Sequence, residues 1–210
     1  MDIGHEFDRQ VRNLLNKRYY KISGLNEKDF VKILSALKTK LKSVTFSPID
    51  YEKGLLPFVI VLNEKHITAE QMMTFVRKNN AKGVVKLNPL TSNDFKTIDS
   101  VITPETYAYL LVDIDRGKQS INLPPKEAMT RIINKKRSPL TINEGIAVIM
   151  HYPEFLSKNN CFSLLASRHP GDKRVPALWI NSKKQANLGW CWDGNPHTWL
   201  GSASCKSRIS

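Results

Sequence analysis

The spacing of apolar residues changes along this chain, and the change limits the possible folds more than any other feature. Residues 4–19 and 26–42 carry apolar side chains every three or four positions, which places those side chains on one face of a helix. After residue 160 the apolar residues fall instead in short runs separated by Gly, Pro, Asn and Asp, as in antiparallel sheets. The two patterns predict an α+β fold in which helices come first and a mostly antiparallel sheet ends the chain.

A central α/β part is predicted between these two regions. Residues 56–63 form an apolar run typical of a buried strand, and residues 83–88 form a second, shorter one. Between them, Thr68 and Gln71 have the spacing of a capping box, which predicts a helix over residues 69–79. The order of strand, helix and strand is the order of an α/β unit. Thr141 and Glu144 have the same capping-box spacing and predict the start of a later helix.

Length and composition indicate a globular protein with one main core. The chain has 210 residues, of which 41% are hydrophobic and 24% charged, enough to bury a core without disulfides or metals. We expect residues 1–50 to form an N-terminal helical segment packed on the core, and residues 51–210 to form an α+β core domain. That domain is expected to end in a tryptophan-rich hairpin.

The cysteines and the N-terminus predict a cytoplasmic location. Cys161, Cys191 and Cys205 are an odd set of three in the last third of the chain, which suggests reduced thiols rather than disulfides. The N-terminus lacks the basic start and apolar run of a secretory signal, and no window is apolar enough to span a membrane.

The net charge is strongly positive. The chain carries 32 Lys and Arg against 19 Asp and Glu, which gives +13 at pH 7. A charge of this size suits a nucleic-acid partner, which it would bind through the phosphates. The lysines are spread along the whole chain, however, as on a solvated basic surface. Nucleic-acid binding is therefore an alternative function rather than the leading one.

The run LGWCWDGNPHTWLG, residues 188–201, holds three of the four tryptophans of the chain. If DGNPHT is the loop of a hairpin, residues 187–193 pair with residues 198–205. Because side chains alternate between the faces of a sheet, the tryptophans of this run then share one face with Gly201, and Cys191 and Leu200 point to the other. A glycine opposite an indole leaves room for the ring or for a ligand on it.

Two interpretations of this run follow. In the first, the indoles seal one sheet face and have a purely structural role, or cover a surface for a protein partner. In the second, they are the walls of a pocket with a few polar groups at its rim, which is the composition of small-molecule sites. The second interpretation predicts a binding or enzymatic module for a small polar or anionic ligand.

The candidate site residues come from this run and from two nearby arginines. Guanidinium groups form forks that match carboxylates and phosphates, although they equally form ion pairs with aspartates of the same chain. His197 is the candidate catalytic residue, because the pKa of an ordinary histidine lies near neutrality. The predicted ligand-binding residues are Trp190, Trp192, Asn195, Trp199, Arg168 and Arg174.

No cofactor is predicted. Cys191, His197 and Cys205 could hold zinc, but the spacing C-x5-H-x7-C fits no standard zinc site. Nucleophilic schemes pair His197 with Cys191, or with Ser202 or Ser204, yet the chain has no G-x-S-x-G motif.

Four runs of the sequence carry a family resemblance. These runs are LLVDIDRG, RSPLTINEGIAV, SR-x4-KRVPALWI and LGWCWDGNPHTWLGSASC. They resemble a family of uncharacterised bacterial proteins that is widespread in actinobacteria and is known only as a domain of unknown function. The resemblance covers most of residues 55–206. It implies kinship and no mechanism, so no residue role is carried over from it.

Overall fold

The fold combines six α-helices with fourteen strands over residues 2–210, which are the residues that this computed structural model describes, apart from the side chain of Ser43. The predicted α+β class is confirmed. The helices are α1 (Ile3–Asn16), α2 (Tyr19–Ile22), α3 (Glu27–Lys40), α4 (Ala69–Met73), α5 (Pro125–Asn134) and α6 (Ile142–His151). The strands are β1 (Leu55–Leu62), β2 (Arg77–Lys78), β3 (Ala81–Lys82), β4 (Val84–Val85), β5 (Lys96–Thr97), β6 (Ala108–Asp115), β7 (Ser138–Pro139), β8 (Cys161–Ser163), β9 (Ser167–Arg168), β10 (Arg174–Ile180), β11 (Ala186–Trp192), β12 (Leu200–Ser202), β13 (Ser204–Cys205) and β14 (Ser207–Ile209).

The first sheet has the strand order β1-β6-β13-β7, and β14 pairs with the other half of β6. Its pairings are antiparallel. The outer edge of β1 is closed by a side chain of α1: the Gln10 Oε1 atom accepts from the Ile60 N–H at 2.9 Å, and Gln10 Nε2 donates to the Phe58 carbonyl at 3.1 Å. This amide therefore occupies the place of a neighbouring strand.

The second sheet has the order β12-β8-β10-β11-β4. Its three central strands pair antiparallel, whereas β12 and β4 join the two edges in parallel. Helix α6 is buried along its whole length and contacts β1 of the first sheet and β10 of the second. Two further pairings, β2 with β3 and β5 with β9, form two-stranded ribbons.

The predicted hairpin of residues 187–193 with residues 198–205 is wrong. Strand β11 pairs with β10, and β12 lies at the far edge of the sheet with β8 and β10 in between. Residues 181–185 form the real hairpin turn, where the Asn181 side chain accepts from two backbone N–H groups and Lys184 takes a left-handed φ of 59°.

The loop of residues 193–198 bonds to other parts of the chain instead of closing a hairpin. The Asp193 carbonyl accepts from the Lys126 N–H at 3.2 Å, and the His197 carbonyl accepts from the Asn122 N–H at 2.9 Å. Both partners belong to α5 or to the segment before it. The loop therefore leads the chain from β11 past α5 to the opposite edge of the sheet.

The predicted central α/β unit is also wrong. Strand β1 lies in the first sheet and β4 in the second, so no strand-helix-strand unit joins them. The helix predicted over residues 69–79 ends at Met73, because residues 77–82 form the β2–β3 ribbon. Asn79 and Asn80 make its turn with positive φ angles, a conformation that asparagine adopts more easily than most residues.

Local signals for helix starts are confirmed. Thr68 with Gln71, and Thr141 with Glu144, form complete capping boxes at α4 and α6. The longest described helices have 14 residues, and none of the described helices has the length and apolar character needed to cross a membrane.

Candidate ligand-binding site

All four tryptophans of the chain meet on the second sheet. Trp179 comes from β10, Trp190 and Trp192 from β11, and Trp199 from the residue before β12. The ring centroids of Trp190 and Trp192 are 5.2 Å apart, and those of Trp179 and Trp199 are 6.4 Å apart, both edge to face. Such edge-to-face pairs are the preferred geometry of aromatic rings. We call these four residues the tryptophan cluster.

A cavity of about 320 Å³ lies within the cluster. It is lined by Ala177, Trp179, Trp190, Cys191, Trp192, Asn195, His197, Trp199 and Leu200. The lining brings together five predicted site residues, which are the three tryptophans of the C-terminal run with Asn195 and His197. Cys191 and Leu200 were expected on the opposite face, but they line the same cavity.

The glycine beneath an indole is Gly189 rather than the predicted Gly201. A Cβ atom at Gly189 would lie 2.2 Å from Cη2 of Trp179, so only glycine leaves space for this ring. Gly201 instead lies against the backbone of Gly117, where a Cβ atom would meet the carbonyl oxygen at 2.6 Å. The wrong hairpin partner explains this error.

Arg168 lies outside the cavity lining and holds the loop that follows β11. Its Nη1 atom donates to the Asp193 carboxylate at 2.7 Å, and its Nε atom donates to the Leu165 carbonyl at 3.3 Å. The Asp193 N–H in turn donates to the Lys173 carbonyl at 2.9 Å. This arginine therefore fixes the loop that carries Asn195 and His197.

Arg174 lies over two rings of the cluster. Its guanidinium is 4.6 Å from the ring centroid of Trp190 and 5.4 Å from that of Trp192, within range of a cation–π interaction. The same guanidinium pairs with the Asp172 carboxylate at 2.5 Å. Like Arg168, it is already bound to an aspartate.

His197 carries a neutral imidazole at neutral pH, because burial lowers its pKa. Its ring centroid is 5.2 Å from that of Trp199. Among the described residues, no hydrogen bond joins the imidazole to Cys191, Asp193 or either candidate serine; Ser204 Oγ accepts from Arg137 Nε at 2.9 Å instead. The structure therefore contains none of the dyads or triads that the sequence allowed.

The cysteines are free, and burial raises the pKa of all three thiols, which makes them poor nucleophiles. Burial raises the pKa of Cys191 to about 11 and that of Cys205 to about 12, so both thiols stay protonated at neutral pH. Cys205 belongs to the first sheet, away from the cluster. Within residues 2–210 no group of three or more His, Cys, Asp and Glu side chains is placed to hold a metal ion.

Several buried polar atoms beside the cluster have no hydrogen-bond partner in the chain. Six such side-chain atoms occur among the described residues, and four of them belong to Arg174, Asn187 and His197. Asn187 is 1% exposed and lies opposite Trp179 on the neighbouring strand, and neither of its amide atoms is bonded. Buried polar groups nearly always have partners, and of these three residues His197 lines the cavity, so a bound molecule can supply a partner to its Nε2 atom.

The sequence interpretation missed Trp179, which lines the cavity, and Asn187, which lies opposite Trp179 in the sheet. The signal that could have found them is the five-residue link of residues 181–185 between two strand-like runs, which is a normal length for a hairpin. Choosing that turn places Trp179 opposite Asn187 directly.

Fold and cavity together define this chain as an α+β protein with an aromatic cavity on a mixed sheet. The chain belongs to a family of unknown function (DUF5701), whose model matches residues 13–210. The predicted membership of a domain-of-unknown-function family is thereby confirmed. None of the curated proteins and none of the solved structures matches the chain.

Proposed function

We propose that this protein is a binding module whose ligand is a small polar molecule held in the tryptophan cavity. One observation carries the proposal: four indoles line one cavity together with His197, whose buried Nε2 atom has no hydrogen-bond partner in the chain. Indoles contribute a large apolar contact area at small entropic cost, and sparse polar groups orient the ligand. The ligand therefore combines a flat or ring-shaped face with a hydrogen-bonding edge.

A neutral ligand fits this cavity better than an anionic one. The residues that line the cavity include no lysine, arginine, aspartate or glutamate. The nearby Arg168 and Arg174 are each paired with an aspartate, so binding an anion there would first break an ion pair. Sugars and uncharged heteroaromatic rings have both a flat face that can pack on an indole and an edge that can form hydrogen bonds.

Binding is better supported than catalysis. His197 remains the best candidate for acid–base work, since a neutral imidazole can accept a proton. However, no described nucleophile or carboxylate is hydrogen bonded to it, and a base normally needs an orienting partner. In the proposed function His197 is a hydrogen-bonding contact of the ligand.

The proposal includes a bacterial cytoplasm as the place of action. Three free thiols support a reducing compartment. The bacterial origin rests on the resemblance of the four sequence runs described above.

A screen of sugars and nucleosides tests the proposed function. Because every tryptophan of the chain belongs to the cluster, intrinsic tryptophan emission reports on this cavity alone. We expect at least one compound to change the emission saturably and to raise the melting temperature. Trp192→Ala should weaken that binding about fivefold or more, since loss of one ring contact costs about 1–3 kcal/mol.

Tyr51→Ala is the matched control. Tyr51 is 40% exposed and Trp192 is 42% exposed, and Tyr51 lies outside the cavity lining. The control variant should bind like the wild type. The proposed function is wrong if no compound changes the emission, or if Trp192→Ala binds the ligand as tightly as the wild type does. The cluster would then have a purely structural role.

A further inference from the structure

A second concave surface of this protein is strongly basic. It is formed where the β2–β3 ribbon meets the turn between β10 and β11. Three of its lysines, Lys78, Lys158 and Lys184, line a cavity of about 550 Å³. We call this surface the basic groove, and its cationic residues are Lys78, Lys158, Lys184 and Lys183, which lies in the turn between the lining residues Ser182 and Lys184.

Hydrogen bonds between two turns hold the groove together. Asn79 Nδ2 donates to the Lys184 carbonyl at 3.3 Å, and Gln185 Nε2 donates to the Lys82 carbonyl at 3.4 Å. Residues that are far apart in sequence are thus fixed side by side, so the groove is a property of the fold and not of one lysine-rich segment.

The exposed cations of the groove are Lys158, Lys183 and Lys184, whereas Lys78 is largely buried.

The charges of the groove are almost uncompensated. Among the described side chains, only the Glu154 carboxylate forms an ion pair with any of them, to Lys78 at 3.0 Å. Four cations and this one carboxylate give a net charge of +3 for the groove. Like charges held together destabilise the free protein, so an anionic partner recovers that energy on binding.

We propose that the basic groove binds the phosphodiester backbone of duplex nucleic acid without reading its sequence. Lysine, asparagine and serine side chains, which line the groove, are common phosphate contacts. The lining contains no aromatic ring on which an unpaired base could stack, and this favours a duplex over a single strand. Ile180 is its one large apolar residue, whereas surfaces that bind membranes expose several.

This proposal does not depend on the tryptophan cavity, and its test does not depend on the proposed function. The probe is a fluorescent DNA duplex of random sequence, with binding followed by anisotropy at several salt concentrations. We expect low-salt binding in the micromolar range that weakens steeply as salt rises, because phosphate contacts release counterions. The same titration with vesicles that contain phosphatidylserine tests whether the groove binds an anionic membrane surface instead.

Two triple variants separate the groove from the overall charge. The first changes Lys158, Lys183 and Lys184 to Gln. The control changes Lys126, Lys136 and Lys173 to Gln, which removes the same number of exposed charges. Lys126 and Lys173 bond through their backbones to Asp193, at the other end of the β10–β11 hairpin from the groove.

The first variant should bind duplex at least tenfold more weakly, and its logarithmic salt slope should be smaller by about 2–3, as expected when three phosphate contacts are lost. The control should lose less than threefold. Equal losses in both variants, absence of duplex binding by the wild type at low salt, or binding to the vesicles but not to the duplex would each overturn the proposal.

Discussion

At the scale of single residues, His151 shows how the fold holds a titratable group in one state. The ring is fully buried at the end of α6, and its Nδ1 atom accepts from Asn13 Nδ2 at 3.2 Å. Burial lowers the pKa of His151 to about 3. Because the pKa is lower in the folded state than in the unfolded one, protonation favours unfolding. The stabilising contribution is complete above about pH 6.5 and is lost as the pH falls toward 3.

We therefore predict that acid weakens the wild type through His151. Between pH 7 and pH 5 the free energy of unfolding should fall by about 2 kcal/mol more in the wild type than in His151→Gln. Urea unfolding curves at the two pH values measure this difference. The exposed control His66→Gln leaves His151 in place and should keep the wild-type pH dependence. Identical pH dependence in the wild type and His151→Gln would contradict this assignment.

Residue-scale features were predicted from the sequence where their cause is local. Tryptophans and polar residues are concentrated in residues 188–201, and this concentration predicted a cavity there. Five of the predicted site residues do line one cavity. The positions of Trp179 and Asn187 could not be predicted, because the neighbours of these residues depend on the pairing of the strands. The pairing of Arg168 and Arg174 with aspartates was an open alternative that only the folded positions decide.

At the scale of elements, the C-terminal strand β14 is tied to the start of α6 by a buried ion pair. Arg208 donates through Nε and Nη2 to the Glu144 carboxylate at 2.5 and 2.8 Å, and Glu144 is fully buried. Glu144 also accepts from the Thr141 N–H at 2.8 Å and from the Tyr109 hydroxyl at 2.9 Å. One carboxylate thus joins α6, β6 and β14.

Removing the arginine should leave a buried carboxylate without its counter-charge. We predict that Arg208→Met lowers the free energy of unfolding by about 3–5 kcal/mol. The double variant Arg208→Met with Glu144→Gln should recover part of this loss, since no charge then remains buried. Chemical denaturation of the three proteins measures both effects.

Arg131→Met is the matched control for this prediction. Arg131 is exposed on α5 and should change stability by less than about 0.5 kcal/mol. A loss below 1 kcal/mol for Arg208→Met would show that the ion pair does not hold β14 in place.

Elements were predictable to the extent that their signals are short-range. The capping boxes span four residues each, and both were identified from sequence. Strand partners are long-range, and there the sequence interpretation failed: the residue pairs Leu200 with Cys161 and Leu188 with Val85 could not be read from either strand alone. The ion pair of Arg208 with Glu144 joins residues 64 positions apart, so local sequence patterns could not predict it either.

At the scale of the whole molecule, one hydrophobic core joins the N-terminal helices to both sheets. Phe7 of α1 stacks on Phe58 of β1 at 6.4 Å, and Phe30 of α3 meets Tyr107 edge to face at 6.3 Å. The same buried cluster includes Leu178 of the second sheet. The tryptophan cluster lies at the surface of this core, so the rigid sheet beneath it keeps the cavity in shape.

The central claim is that the tryptophan cluster binds a small neutral molecule. The most direct test is a two-dimensional NMR spectrum of the ¹⁵N-labelled protein, in which the four indole N–H groups give separate signals. We predict that at least one sugar or nucleoside shifts these signals saturably, together with the signals of Asn195 and His197, and leaves the amides of α1 and α3 unchanged. If no such compound moves the indole signals at millimolar concentration, or if the shifted signals lie elsewhere in the protein, the cluster is a structural feature and the proposed function is wrong.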